Sequence, residues 1–170
     1  MITVHLQSYV NGATPKQVFD ALSDPSGLKT LMPRLSRVEY ERTSPTTAHV
    51  VMYISIGGMF GLIRCDGVLE WIEPGNIIFT VNNPLPVKNE WIIKPTARGT
   101  EVNIQLNLDL RPFLGPMANF VPTIAVEDLV RRELKHAVAQ IPKRLKEQDQ
   151  MVHGHERAMP QPVTVSGAAA

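Results

Sequence analysis

Apolar and polar residues alternate along the opening segment "ITVHLQSYV", and Asn11–Gly12 ends the alternation. A period of two places successive side chains on opposite faces, so the segment predicts a β-strand. The following stretch, "TPKQVFDAL", has apolar residues at helical spacing, with Thr14 as N-cap and Pro15 at the first helical position. Asp24 and Pro25 repeat this pair, so a second short helix is predicted to end before Pro33.

Residues 34–110 predict strands throughout. Short turns rich in Pro, Gly and Asn separate the apolar runs, which is typical of antiparallel hairpins. The last run alternates most regularly, with one apolar and one polar face. The predicted strands are 35–43, 47–56, 60–73, 76–82, 87–95 and 100–110.

A segment interrupted by Pro and Gly, "RPFLGPMANFVP", leads into a long amphipathic helix predicted from Thr123 to Gln148. Pro142 is expected to kink this helix or weaken its last turns. The remaining residues have almost no periodicity. We therefore predict one domain over residues 1–148 and a flexible tail over residues 149–170.

This order of elements predicts a cavity. Seven strands at about 4.8 Å spacing form a sheet roughly 30 Å wide, whereas one helix is only about 10–12 Å across. The sheet must curl around the helix to bury its apolar face, and such a curved layer leaves space at one end. Inward apolar side chains would line that space, which is typical of a small-molecule site.

The chain resembles the START-like, Bet v 1-related (SRPBCC) superfamily, whose members include the polyketide cyclase/dehydrase and lipid-transport proteins. The similarity is carried by "ATPKQVFDALSDPSGLKTLMP", "GVLEWIEPGNIIFTV", "WIIKPTARGTEVNIQLNLDL" and the terminal helix, over about residues 2–148. The resemblance implies an α+β helix-grip fold: a curved seven-stranded antiparallel sheet around a long C-terminal helix, with two short helices after the first strand. It also implies a hydrophobic pocket between sheet and helix, flanked by the hairpins at 57–61 and 82–87.

The turn "SIGGMFG" carries two large apolar residues, Met59 and Phe60, where a turn is normally polar. On the resemblance, they would face Leu85 across the pocket entrance. There they would close on one another or guide an apolar ligand inward.

Strand phase and these loops predict a set of ligand-binding residues, although ordinary core packing would use the same residue types. The set is Met52, Tyr53, Ile54, Met59, Phe60, Ile63, Cys65, Trp71, Phe79, Leu85, Trp91, Ile93, Ile104, Leu106, Met117, Phe120 and Ile124. The last three lie where the final strand leads into the long helix and would form a flap that closes or plugs the pocket.

No catalytic motif is present, and we predict no catalytic residue, metal site or cofactor. The only polar candidates for the cavity are Tyr53, Ser55 and Arg64. Arg64 and Asp66 are predicted on the solvent face unless a bulge inverts the strand. The tail motif "HGHE" has two histidines, but a mobile tail gives no rigid metal geometry.

Charge and hydropathy narrow the class of partner. Lys plus Arg number 17 and Asp plus Glu 16, a net charge of +1, which does not favour a nucleic-acid-binding protein. No apolar run approaches the ~20 residues that a membrane-spanning helix needs, and the N-terminus lacks a signal-peptide pattern. We expect a cytoplasmic protein without stable membrane insertion, for which transient membrane contact and any oligomeric state stay open.

Three functions are compatible with this pattern. The first is binding or carriage of a small hydrophobic ligand: a lipid, isoprenoid, polyketide-like or aromatic molecule. The second is a cyclase, aromatase or dehydratase reaction in the same cavity, which would need an acid–base group inside it. The third is a ubiquinone-binding START-like protein. The scarcity of ionisable residues at inward positions favours the carrier.

Overall fold

The computed structural model describes residues 1–25, 28–55 and 61–156, with side chains described as far as residue 150. The strands are β1 (Ile2–Asn11), β2 (Leu35–Arg42), β3 (Thr47–Ser55), β4 (Leu62–Ile72), β5 (Asn76–Asn83), β6 (Val87–Thr96) and β7 (Gly99–Leu108). The helices are α1 (Pro15–Ser23), α2 (Leu28–Leu31), α3 (Arg111–Leu114), a 3-10 helix (Gly115–Phe120) and α4 (Thr123–Glu156).

The strands form one curved antiparallel sheet in the order β1-β7-β6-β5-β4-β3-β2. Strands β2 to β7 pair in succession as antiparallel hairpins. Strand β1 pairs with β7, with Ile2 opposite Leu108. This architecture confirms the predicted α+β fold, in which two short helices follow the first strand and a long helix comes last.

Helix α1 begins as its sequence predicts. The Thr14 hydroxyl accepts a hydrogen bond from the Gln17 backbone N–H at 3.3 Å, and the Gln17 side chain accepts one from the Thr14 N–H at 2.9 Å. This reciprocal pair satisfies two backbone donors that the first turn leaves open. The helix then buries Val18, Phe19 and Leu22 against the sheet.

Helix α4 is longer than predicted, since it ends at Glu156 instead of Gln148 and continues through Pro142. It packs on β1, α1 and α2. Its buried residues Leu134, Ala137, Val138 and Ile141 recur at helical spacing and face the sheet.

The interior consists of two apolar clusters. The first joins α1 and α4 to β1, β5, β6 and β7, with Phe19, Trp91 and Ile141 among its buried residues. The second lies on β2, β3 and β4 around Met52 and Cys65, and residues of α2 and α3 cover it. Helix α4 therefore covers the half of the inner face that carries the first cluster, and much shorter elements cover the half that carries the second.

Arg144 ties α4 to the connection that follows α1. Its side chain is only 6% exposed and forms an ion pair with the carboxylate of Asp24, while Glu147 lies 3.9 Å away. Asp24 also caps α1, because its backbone N–H donates to the Asp20 carbonyl. A buried guanidinium that loses its carboxylate keeps its desolvation cost without compensation.

Asp24→Ala is therefore expected to lower the free energy of unfolding by about 2–3 kcal/mol, less than a fully buried pair would cost because a third of the Asp24 side chain is exposed. Arg144→Met should cost less, since it removes the buried charge itself. Urea denaturation measures both. The control is Lys16→Met, which breaks solvent-exposed ion pairs with Asp20 and Glu73 and should cost much less. Equal losses for Asp24→Ala and Lys16→Met would contradict this role.

A carboxylate–guanidinium pair organises the junction between β7 and α3. Asp109 accepts hydrogen bonds from the Arg111 backbone N–H at 3.1 Å and from its guanidinium at 2.9 and 2.8 Å. The Arg111 side chain, followed by its backbone N–H, lowers the pKa of Asp109 to about 2. A depressed carboxyl pKa stabilises the fold above the unfolded pKa, near 3.8, and this contribution is lost as the pH falls through about 2.

Arg111→Gln is expected to raise the pKa of Asp109 toward its ordinary value, which a carboxyl-carbon NMR titration measures directly. The stability difference between Arg111→Gln and the native protein should be largest above about pH 4 and shrink toward pH 2. The pKa of Glu101, lowered chiefly by Asn103, serves as the internal control and should not move. An unchanged Asp109 titration in the variant would refute the pairing.

Candidate functional site

A cavity lies between the two apolar clusters on the inner face of the sheet, where the part covered by α4 meets the part covered by α2. It is a narrow slot with a volume of about 60 Å³. Its lining comes from both clusters and from α1, α2 and α4: Leu22, Leu28, Leu31, Met32, Val50, Met52, Leu69, Ile77, Phe79, Asn89, Trp91 and Ala137.

The floor of the cavity is set by strand register. Leu69 on β4, Phe79 on β5 and Asn89 on β6 lie opposite one another across the sheet. Gly67 makes room beside them, because a Cβ at this position would lie 2.5 Å from the Thr80 carbonyl oxygen and 3.0 Å from the Phe79 ring. The absence of a side chain at Gly67 thus lets the ring of Phe79 pack against the backbone of β4.

Helices form the opposite wall of the cavity, and their side chains differ in size and in flexibility. Ala137 is the residue of α4 in the lining, and its small side chain leaves space above the sheet. Leu28 and Met32 contribute partly buried side chains from the region of α2. Methionine adapts its shape through three rotatable bonds, so Met32 and Met52 can widen the slot without moving the backbone.

Asn89 is the exception in this apolar lining. It is 93% buried (relative exposure 7%), and its amide oxygen has no hydrogen-bond partner among the described residues. It shares the inward phase with Trp91 and Ile93 on β6. A buried acceptor without a donor loses its water without compensation, so the cavity contains one unsatisfied polar group.

The structure brings three of the predicted site residues together in the cavity: Met52, Phe79 and Trp91. Most of the others lie in apolar packing outside the lining. Ile63 and Cys65 are buried in the second cluster, where burial raises the pKa of the Cys65 thiol, and Ile93 and Ile104 are buried in the first. Four more are partly buried against these clusters: Ile54, Trp71, Leu85 and Leu106.

Two groups lie elsewhere. Met117, Phe120 and Ile124 are 63%, 80% and 75% exposed, so they neither line nor plug the cavity. They lie on the 3-10 helix and at the start of α4, on the surface of the protein. Met59 and Phe60 fall outside the described residues. Ligand contact by any of the predicted residues stays a prediction.

The expected polar candidates face away from the cavity. Tyr53 points outward because its neighbour Met52 points inward, and the guanidinium of Arg37 lies 5.6 Å from its ring centre. Arg64 pairs in regular register with Tyr53 and is exposed, which confirms its expected place on the solvent face. Ser55 is only partly buried at the end of β3 and is not part of the lining.

An ionisable cluster occupies this outer face. Asp66 accepts from the Arg64 guanidinium at 2.9 Å and lies 2.5 Å from His49 Nε2. The His49 hydrogen bond is the main cause of the lowered pKa of Asp66. The cluster borders a shallow surface depression with Asn82, Asn83 and Pro84, on the opposite side of the sheet from the cavity.

Sequence reasoning missed Asn89 and most of the helical wall. Asn89 could have been found, because the predicted strand 87–95 places it two residues before Trp91 and hence on the same face. Val50 could have been found in the same way from Met52. The contributions of Leu22, Leu31 and Ala137 depend on how the helices dock, which strand phase does not specify.

Two further findings concern the part of the chain that the structure describes. No group of three or more His, Cys, Asp or Glu side chains is placed to hold a metal ion there. None of the described helices is long and apolar enough to cross a membrane.

Comparison with solved structures finds the same fold in several proteins of low sequence identity. A START superfamily protein from Mycobacterium smegmatis has a TM-score of 0.65 at 15% identity, covering 86% of this chain and 98% of that one. A protein from Thermus thermophilus has a TM-score of 0.57 at 18% identity, covering 81% and 97%.

The di-domain ARO/CYC StfQ from the steffimycin biosynthetic pathway has a TM-score of 0.63 at 14% identity, with 90% of this chain covered. The match spans 53% of StfQ, so this chain corresponds to about half of that protein. A search of curated proteins gave no significant match.

The sequence itself assigns the family. A family model described as polyketide cyclase / dehydrase and lipid transport matches residues 1–142, which contain β1 to β7, α1 to α3 and the first part of α4. The START and ARO/CYC neighbours have the same fold. The chain therefore belongs to the polyketide cyclase / dehydrase and lipid transport family.

Proposed function

We propose that this protein binds and carries a small hydrophobic ligand in the cavity between the sheet and α4. The ligand is a lipid, isoprenoid, polyketide-like or aromatic molecule of slender shape. The observation that carries the proposal is the lining, in which eleven of the twelve residues are apolar and Asn89 is the twelfth. Burial of apolar surface, at roughly 25 cal/mol per Å², supplies the binding energy.

The same lining argues for a carrier over an enzyme of the cyclase or dehydratase type. Such reactions move protons and need an acid or base within hydrogen-bond reach of the ligand. The described lining contains no ionisable side chain, and the amide of Asn89 stays uncharged near neutral pH, so it cannot act as a general acid or base. The ionisable cluster of His49, Arg64 and Asp66 is separated from the cavity by the sheet itself.

Ala137→Leu tests the cavity directly. The added side chain fills empty space, so the variant should keep or gain thermal stability, while its affinity for a small apolar probe such as 2-methylnaphthalene falls at least about tenfold. Isothermal titration calorimetry measures the affinity for the probe, and thermal unfolding measures the stability of the variant.

The matched control is Ala21→Leu on α1, a fully buried position outside the lining. Overpacking there should cost about 1–3 kcal/mol, and the probe should still bind below the melting transition. If Ala137→Leu destabilises the protein as much as Ala21→Leu and leaves probe affinity unchanged, the cavity is not the binding site.

We also propose that the protein contacts membranes transiently to exchange its ligand. Met117, Phe120 and Ile124 are exposed on the segment that leads from β7 into α4, at the end of the sheet where β3, β5 and β7 end, and Leu62, 58% exposed, begins β4 at the same end. Exposed apolar residues clustered at one end are typical of contact surfaces. The nearly balanced net charge gives no added attraction to anionic lipids, so the contact is expected to be weak.

Phe120→Ser combined with Ile124→Ser should reduce co-flotation with neutral phosphatidylcholine vesicles severalfold, because it removes two apolar side chains that are mostly exposed. Thermal stability should change little. The control is Tyr9→Ser, which removes a ring that is 57% exposed on β1, away from this cluster. Undiminished flotation of the double variant would remove the membrane role and leave the ligand proposal intact.

A further inference from the structure

The geometry of Asn89 points to the chemistry of the ligand, and this inference rests on the proposed function. We infer that the cavity selects neutral apolar molecules that carry one hydrogen-bond donor, such as a phenolic or alcoholic hydroxyl, and that this donor binds the Asn89 amide oxygen. Asn89 is thus a specificity-determining residue of the site.

The amide oxygen of Asn89 has no hydrogen-bond donor among the described residues. Asn89 lies at the edge of the cavity floor, between Phe79 of the lining on β5 and Leu106, outside the lining, on β7. Neither neighbour carries a side-chain donor, and the amide oxygen is shielded from solvent. A ligand hydroxyl that reaches this oxygen recovers a hydrogen bond that the unliganded protein lacks, whereas a ligand without a donor leaves the desolvation cost in place.

The described lining of the cavity is uncharged. The cavity lining holds no cationic side chain among the described residues, so a carboxylate or phosphate placed inside it would lose its water without gaining a counterion. Arg64 belongs to the outer face and Arg144 is engaged with Asp24. A free fatty acid with its headgroup inside the cavity is therefore disfavoured, and a neutral hydroxylated molecule is favoured.

Three probes of similar shape test the inference by calorimetry at neutral pH: 2-naphthol, 2-methylnaphthalene and the anion 2-naphthoate. The native protein should bind 2-naphthol about tenfold more tightly than 2-methylnaphthalene and should bind 2-naphthoate most weakly. Asn89→Leu should reverse the order of the two neutral probes, because leucine makes the floor wholly apolar. That variant is expected to fold at least as stably, since it removes a buried unsatisfied group.

Asn107→Leu is the matched control, because Asn107 lies on the outer face of β7 and bonds to Thr3. It should keep the native preference for 2-naphthol. Equal affinities of native protein for 2-naphthol and 2-methylnaphthalene would overturn the role of Asn89 while leaving the apolar site intact. Failure of all three probes to bind would overturn the proposed function itself, and tightest binding of 2-naphthoate would overturn the selection for neutral ligands.

Discussion

The width of the sheet relative to its helices is the constraint on which the rest of the structure depends. Seven paired strands span roughly 30 Å, and a helix covers about a third of that width. Helix α4 packs beside β1 and completes one apolar cluster, while short elements, α2 and α3, cover the other. The cavity is the seam between these two clusters, so it follows from the architecture more than from any single residue.

The position of the cavity between the two clusters also explains why Asn89 would have a large effect on which ligand binds. In a packed core an unsatisfied amide would be selected against, since a buried acceptor without a donor costs free energy. Beside a cavity, the same amide is satisfied whenever a suitable ligand is bound. In this proposal Asn89 links the free energy of the unliganded fold to the identity of its ligand, and the small side chain of Ala137 leaves space that the ligand would occupy.

The sequence predicted the elements well because their signals are local. Alternation identified the strands to within one or two residues at most ends, and the Thr14–Pro15 pair marked the start of α1. The end of α4 was predicted too early because the residues after Gln148 have almost no periodicity, although the helix continues to Glu156.

The site was harder to predict because it depends on tertiary contacts. Strand phase separates inward from outward positions, yet it does not say which inward residues pack and which line a gap. Ile63 and Ile104 are as apolar as Phe79 but are buried in the clusters on either side of the seam. Helix docking places Ala137 over the sheet, and the amide of Asn89 carries no charge that would mark it as an acid or base.

The most direct test is a crystal structure of the protein under xenon pressure, because xenon enters dry apolar cavities and a bound xenon atom is seen in the electron density. We expect a xenon atom between Val50, Phe79 and Ala137 without backbone movement. Side chains closed over the seam, with no xenon or other molecule between the two clusters, would contradict it.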